Sequence, residues 1–171
     1  MTSDQPPLQP LTPAEEAFVR ELSRVMLALP RAVDADIMRE ARLPLSEYTP
    51  LMHLSEAPDR AMRMNELAAA CCLSLSGMTR VVTRLEKQGW VERTKSAQDK
   101  RGWNAVLTDA GLARLEHAWP AFLTSVRRQL VDHFAGHDIS GLTNALRHVA
   151  TADLAPNRTP AANSTSGGRQ G

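Results

Sequence analysis

The chain has 171 residues, of which 43% are hydrophobic and 23% are charged, and its formal net charge is only +1. That length suffices for one domain with a substantial core or for two very small ones, and the near-neutral balance gives no whole-chain reason to expect a polyanion partner. No apolar run is long enough to span a bilayer, the N-terminus lacks a secretory-signal pattern, and the adjacent Cys71 and Cys72 exclude a disulfide framework, so we expect a cytoplasmic protein with no membrane partner.

The first predicted element is a long helix. Residues 1–11 are rich in proline and polar side chains, and we expect them to be disordered. Thr12 then begins a helix-start pattern in which its side chain caps the helix and Glu15 returns a bond to the cap. Apolar residues follow at helical spacing through Ile37. Pro30 lies inside this run and is expected to kink or break the helix.

A shorter helix, a strand and two further helices are predicted next. Ser46 is expected to cap the shorter helix, and the run AMRM is typical of a short strand. Asn65 is expected to cap the Ala-rich helix that follows. A fourth helix starts after Ser74 and stops at Gly89. Its apolar residues lie on a single face: Met78, Val81, Val82 and Leu85.

The last predicted elements are a hairpin and two helices. Two β-prone runs flank the polar turn AQDKR and predict a β-hairpin. Thr108 or Asp109 then opens a long helix, which Pro120 is expected to bend. Asp138 is expected to cap the final helix.

This order of elements predicts a mainly α protein with a small β-hairpin wing. Two short helices joined by a tight turn and followed by a hairpin form a winged helix-turn-helix, here about 46–108. Helices at about 12–42 and 109–153 flank it within a single domain, 12–153. Their apolar stripes lack a partner in the winged unit and predict a homodimer. Residues 154–171 are polar and rich in small residues, and we expect a disordered tail.

Basic residues concentrate in the middle of the chain. Between Arg60 and Arg101, nine Lys or Arg residues accompany four Asp or Glu residues, a local net charge of +5. Such a patch is the footprint expected of a nucleic-acid partner. In a helix-turn-helix the second helix enters the major groove of double-stranded DNA, and a basic hairpin beside it reaches the minor groove.

Position in that arrangement predicts the role of individual residues. Ser76, Thr79 and Arg80 are expected to read bases. Arg101 is expected to enter the minor groove, and Asp99 is expected to orient either Arg101 or an arginine of the recognition helix. Other cations are expected to hold phosphates. The predicted DNA-binding residues are Ser74, Ser76, Gly77, Thr79, Arg80, Thr83, Arg84, Arg93, Lys95, Asp99, Lys100 and Arg101.

The runs MTRVVTRLEKQGWVER, DKR and LTDAG resemble the winged-helix core of MarR-type transcriptional regulators. Thr79 to Arg93 matches the family pattern T-R-x-x-x-x-L-E-x-x-G-x-V-x-R, and Asp99 with Arg101 matches the D-x-R wing tip. The resemblance implies a homodimer with interlocking end helices, acting as a ligand-responsive repressor on an inverted-repeat operator. Two details depart from the family: the wing lacks the proline often found before its Asp, and Gly77 occupies a place usually given to a larger residue.

The resemblance also implies a pocket for a small aromatic effector between the dimer helices and the winged unit. Met26, Met52, His53 and Trp119 are the residues expected to line it. Met and Trp at helical spacing more often belong to a plain core, and that alternative stays open.

Two other classes of function also stay open. Cys71 and Cys72 would make the chain a thiol-based redox sensor, unless they are small buried hydrophobes in a closely packed helix. A dimeric winged-helix module that binds another protein is the second alternative. We expect no metal site and no cofactor, because Gly136 and the helix boundary at Asp138 spoil the face that His133 and His137, four residues apart, would share. We expect no enzymatic activity, because no catalytic motif occurs.

Overall fold

The computed structural model describes residues 9–95 and 102–151, and all structural statements below concern that part of the chain. It confirms a mainly α fold with a small antiparallel sheet. The elements are α1 (Pro13–Ala41), α2 (Leu45–Glu56), β1 (Ala61–Arg63), α3 (Met64–Ala70), α4 (Leu75–Lys87), β2 (Val91–Lys95), β3 (Trp103–Leu107), α5 (Asp109–Gln129) and α6 (Ile139–Thr151). Contacts divide the chain into two units after His133, and α6 belongs to the second unit.

The sheet has the order β1-β3-β2 and is antiparallel throughout. The predicted hairpin is confirmed as β2 and β3, and β1 adds a third strand on the other side of β3. Val91 lies opposite Leu107, and Lys95 lies opposite Trp103. Because directly opposed residues point to the same side of a sheet, these pairs share one face.

The core of the first unit lies where the second half of α1, the two helices of the helix-turn-helix and the base of the wing meet α2 and α5. Helix α5 packs along α1 and against α2. The large apolar side chains that are fully buried come from α1, the loop after it, α2, α3, α4 and β2: Ile37, Leu43, Tyr48, Leu51, Leu54, Leu67, Met78, Val82, Leu85 and Val91. Aliphatic side chains therefore supply most of the apolar burial that stabilises this unit.

Helix starts are set partly by local and partly by distant side chains. Thr12 forms the predicted capping box with Glu15. Ser74, Thr108 and Asp138 each accept the backbone N–H of the third residue of the helix that follows. The predicted caps at Ser46 and Asn65 are wrong, because both residues lie inside helices that begin earlier. At α2 the backbone N–H of Leu45 instead donates to the Asp34 carboxylate at 2.7 Å, so a side chain of α1 replaces the local cap.

Pro30 does not break α1, which is a single helix through that position. Proline removes one backbone donor from a helix. The residues after it are held by burial, since Val33, Ile37 and Ala41 all lie in the core. Packing of this half of α1 therefore offsets the loss of one hydrogen bond.

Asp36 joins α1 to α5 from inside the first unit. Its carboxylate is buried and accepts hydrogen bonds from Ser125 Oγ at 2.7 Å, Arg39 at 2.9 Å and Gln129 at 3.3 Å, together with an ion pair from Arg128. These bonds, led by that of Ser125, lower the pKa of Asp36 far below its usual range. The charged carboxylate is therefore the form that holds the two helices together.

A close approach between the wing base and α5 explains the glycine in LTDAG. The Thr108 N–H donates to the Trp90 carbonyl at 3.1 Å, and its hydroxyl donates to the Gly89 carbonyl at 2.7 Å. A Cβ added at Gly111 would lie 2.1 Å from the Trp90 carbonyl oxygen. Only glycine leaves room for the backbone here, so this contact fixes the wing relative to the start of α5.

Large apolar side chains remain exposed on the first half of α1. Phe18, Met26 and Leu27 are each more than 60% exposed, whereas the same helix buries Val33 and Ile37. Helix α6 also exposes its apolar residues Ile139, Leu142, Leu146 and Val149. In the described ranges, the helices are too short or too polar for any of them to traverse a bilayer.

Candidate nucleic-acid interface

Helix α4 is anchored by one face and presents the other. Met78, Val81, Val82 and Leu85 are buried against the core, as their spacing predicts. Ser76, Arg80 and Arg84 are exposed on the other side of the helix, and Thr79 and Thr83 are half-buried beside them. The helix-turn-helix therefore holds a polar helical face outward, which is the face that could enter a DNA groove.

The first turn of α4 is shaped by hydroxyl groups. Ser74 Oγ accepts the backbone N–H of Gly77 at 3.1 Å and lies 3.1 Å from Ser76 Oγ. A Cβ at Gly77 would lie 3.2 Å from Ser74 Oγ, which is tighter than an ordinary contact. A larger residue would press on this cap, so the departure from the family pattern at Gly77 matches the local geometry. The Thr79 hydroxyl donates to the Leu75 carbonyl at 2.8 Å.

The cations near α4 fall into two groups. The side chains of Arg80 and Lys95 are exposed and form no hydrogen bond or ion pair within the described part of the chain. Arg84 Nε donates to Glu47 Oε1 at 3.0 Å, and the Glu47 side chain is only 8% exposed. This pair ties α4 to α2. The sequence alone did not identify Glu47, which lies 37 residues away in a different helix.

Arg93 is also held by the protein. It forms a close ion pair with Glu86 and donates to Thr83 Oγ1 at 3.3 Å, so it joins β2 to α4. The bond to Glu86 raises the pKa of Arg93 above its usual value. The predicted phosphate contacts of Arg84 and Arg93 stay predictions, but both side chains already have a structural role.

One face of the wing lies towards α4, because Arg93 on β2 contacts Thr83 and Glu86 of that helix. Lys95 and Trp103 are directly opposed on β2 and β3, in the same facing row as the buried pair Val91 and Leu107. The predicted tip residues Asp99, Lys100 and Arg101 lie outside the described residues.

A groove of about 370 Å3 separates α4 from the wing. We call it the α4–wing groove. Its lining includes Arg63, Asn65, Leu75, Thr79, Arg93 and Trp103. Of these, Arg63, Asn65, Leu75 and Trp103 were not among the predicted site residues. Trp103 was not predicted as a site residue, because its spacing from Ala105 and Leu107 is that of a core residue. In the structure its side chain is 48% exposed.

Comparison with known proteins decides the family. A profile of the MarR family matches residues 43–102. Sco3205, a MarR family transcriptional regulator from Streptomyces coelicolor solved in complex with DNA, is 34% identical with a TM-score of 0.75, covering 82% of this chain and 91% of Sco3205. AbsC, a MarR family transcriptional regulator from the same organism, is 33% identical with a TM-score of 0.75, covering 84% of this chain and 96% of AbsC. The chain belongs to the MarR family.

A curated relative matches a shorter segment of this MarR-family protein. The transcriptional repressor MprA of Escherichia coli (strain K12) is 32% identical over 73 residues, which cover 43% of this chain and 42% of MprA. The chain thus aligns with less than half of the length of that relative. The match supports the family and leaves the activity of the whole protein to be proposed.

The four predicted effector residues of the MarR-family chain lie on three helices. Met26 is 61% exposed on α1, and Trp119 is 48% exposed on α5. Met52 and His53 are half-buried on α2, where Met52 packs against the core. These four residues do not line the α4–wing groove. Their joint role in one pocket stays a prediction.

Tyr48 is a buried polar residue that the sequence did not single out. Its ring stacks on Phe122 with centroids 4.5 Å apart, joining α2 to α5. Its hydroxyl is buried and has no hydrogen-bond partner among the described residues. Burial raises the pKa of Tyr48 to about 12. The hydroxyl therefore remains protonated at neutral pH.

The two cysteines of this family member occupy different surroundings. Cys71 is half-buried at the end of α3, and Cys72 is exposed in a left-handed backbone conformation with φ of 53°. Burial, with a contribution from Cys72, raises the pKa of Cys71 to about 11. A thiol with a raised pKa is a poor nucleophile at neutral pH. Among the described residues, no three His, Cys, Asp or Glu side chains cluster as metal ligands would.

Proposed function

We propose that this MarR-family chain is a sequence-specific regulator that binds double-stranded DNA as a homodimer. One observation carries the proposal: α4 presents the unpaired Arg80 beside a wing that presents the unpaired Lys95, on a fold shared with a relative solved in complex with DNA. Exposed cations without a protein partner on two adjacent elements are suited to phosphates and base edges.

We assign roles within the predicted set from the exposure and pairing of each side chain. Arg80 is the best candidate for base reading, because it is exposed on α4 and has no competing partner in the described part of the chain. Ser76 and Thr79 lie near it on the same helix. Lys95 is the candidate for a phosphate contact from the wing, and Arg101 at the tip is the candidate for the minor groove.

The exposed apolar half of α1 supports assembly of two chains. Phe18, Met26 and Leu27 form part of an apolar surface that is exposed to water in a single chain. Such exposure is unfavourable in free energy. A two-fold dimer would bury it and would place two copies of α4 at neighbouring major grooves. We propose that an inverted-repeat operator is occupied in this way, and that the dimer represses transcription by covering it.

A small aromatic ligand would release such a dimer by changing the distance between its two reading helices. We place this ligand beside Met26, Met52, His53 and Trp119, which include half-buried and exposed apolar groups next to the α1, α2 and α5 packing. Both helices must fit the duplex at once, so a ligand that prefers a different spacing lowers DNA affinity.

Selection of bound fragments from random duplex DNA, followed by fluorescence anisotropy, tests the proposal. The selected site should have dyad symmetry. Arg80→Ala should weaken binding by about 1–3 kcal/mol. Arg31→Ala is the charge-matched control, since Arg31 is exposed on α1 and also lacks a partner in the described residues. Equal affinity of the Arg80→Ala and wild-type proteins would remove α4 as the reading element.

A further inference from the structure

The indole of Trp103 is half-exposed and does not belong to the predicted DNA-binding residues. Ala105 and Leu107 follow it on the same face of β3 and are buried, so Trp103 continues the core-facing row beyond the edge of the core. Leu75, across the α4–wing groove, is 53% exposed. Two large apolar side chains, one from β3 and one from α4, are thus exposed to water in the groove, and contact with an apolar group would stabilise them.

The rest of the groove has the opposite character. Arg63 and Arg93 bring positive charge to its lining, and Asn65 and Thr79 bring polar groups. Lys95 stands opposite Trp103 on β2 and has no partner in the described residues. The ion pair with Glu86 balances the charge of Arg93, so Lys95 is the cation beside the groove that an anionic partner can reach.

A site that combines an apolar wall with cations matches one feature of nucleic acid. The sugar-phosphate backbone offers the apolar C–H face of a deoxyribose directly beside an anionic phosphate. A purely anionic partner would leave Trp103 and Leu75 exposed, and a purely apolar partner would leave the cations without a counter-charge.

We propose that the α4–wing groove takes one sugar-phosphate unit of a DNA strand, with Trp103 against the deoxyribose and Lys95 directed to a flanking phosphate. This inference rests on the proposed function, since it names the part of DNA that the same face holds. Trp103 is then a positioning residue: it sets the depth and register of α4 without reading a base.

The test measures the affinity of full-length Trp103→Ala for the duplex selected with the wild-type protein, over a range of salt concentrations. We expect binding about tenfold weaker, the size typical of a lost desolvated aromatic contact. The slope of log affinity against log salt should not change, because no counterion release is lost. Lys95→Ala should instead reduce that slope by about one.

Thr94→Ala is the matched control within the wing. Thr94 is exposed and lies opposite Asn104, on the other face of the hairpin from Trp103. It should bind as the wild type does. Thermal unfolding of all variants checks the fold, and Trp103→Phe, which keeps a ring, provides a second variant if alanine disturbs the hairpin. We expect it to bind between the wild type and Trp103→Ala.

A spectroscopic readout is independent of affinity. The chain has three tryptophans, so protein labelled with 5-fluorotryptophan gives three fluorine resonances, and the one absent from Trp103→Phe belongs to Trp103. Addition of the duplex should shift it. Unchanged affinity of Trp103→Ala, an unshifted resonance, or a change in oligomeric state instead of affinity would overturn the inference. Failure of the wild-type protein to bind any duplex would overturn the proposed function itself.

Discussion

Replacing Arg84 with alanine separates a structural arginine of α4 from a DNA-reading one. Arg84 Nε donates to Glu47 at 3.0 Å, with side chains 48% and 8% exposed respectively. Breaking a fully buried ion pair costs about 3–5 kcal/mol, and an exposed pair contributes about 0.2–1 kcal/mol. With one buried partner and one half-exposed partner, we expect Arg84→Ala to lose about 2 kcal/mol, because the Glu47 carboxylate stays behind without its counter-charge.

The assay is thermal unfolding at a fixed protein concentration, since assembly makes Tm depend on concentration. A loss of about 2 kcal/mol lowers Tm by about 4–8 °C in a chain of this size. Arg80→Ala is the control on the same helix, one turn earlier, and should change stability by less than about 0.5 kcal/mol. The double variant Glu47→Gln with Arg84→Met should recover part of the loss, because no buried charge remains.

The reasoning fails if Arg84→Ala and Arg80→Ala unfold at the same temperature. It also fails if Arg84→Ala keeps full stability while losing DNA affinity, since Arg84 would then act as the phosphate contact that its exposed position on α4 first predicted. The two arginines are thus told apart by which property each variant loses.

Three further predictions follow from buried or crowded groups. Because the pKa of Asp36 is lowered in the folded chain, the stability that its carboxylate contributes is complete at neutral pH and declines as pH falls below about 4. Asp36→Asn should therefore lose about 2–4 kcal/mol in urea unfolding at pH 7. The difference in stability from the wild type should shrink at pH 3, and an unchanged difference would contradict the assignment. Gly111→Ala should destabilise the chain by about 1–3 kcal/mol, because the added methyl meets the Trp90 carbonyl at 2.1 Å; a wild-type melting temperature would contradict this. With a pKa of about 11, Cys71 is almost entirely a thiol at pH 7, so Cys72→Ser should react with iodoacetamide more slowly than Cys71→Ser, and rapid labelling of Cys71 would restore the redox alternative.

Local patterns in the sequence predicted most of the fold. Helix α4 was found because its apolar residues recur at helical spacing between a serine cap and a glycine stop, and both signals act within a few residues. The hairpin was predicted from another local signal, two β-prone runs that flank a polar turn. The caps of α2 and α3 were misplaced, because the donor at the start of α2 is satisfied by Asp34, eleven residues earlier.

The candidate site could be predicted only in part, because its details depend on distant pairs. Helical spacing places Arg80 and Arg84 on one exposed face. No local pattern shows that Arg84 forms an ion pair with Glu47 whereas Arg80 does not. Alternation along β3 does not show where the core ends, so the 48% exposure of Trp103 follows only from the packing. Long-range packing thus decides which of the polar and aromatic residues remain available to a partner.

Sedimentation velocity of the chain with its selected duplex tests the central claim most directly. We expect a complex with two chains on one inverted-repeat duplex, and its affinity should fall steeply as salt is raised. A single chain on the duplex, or no complex with duplex DNA even in dilute buffer, would contradict it.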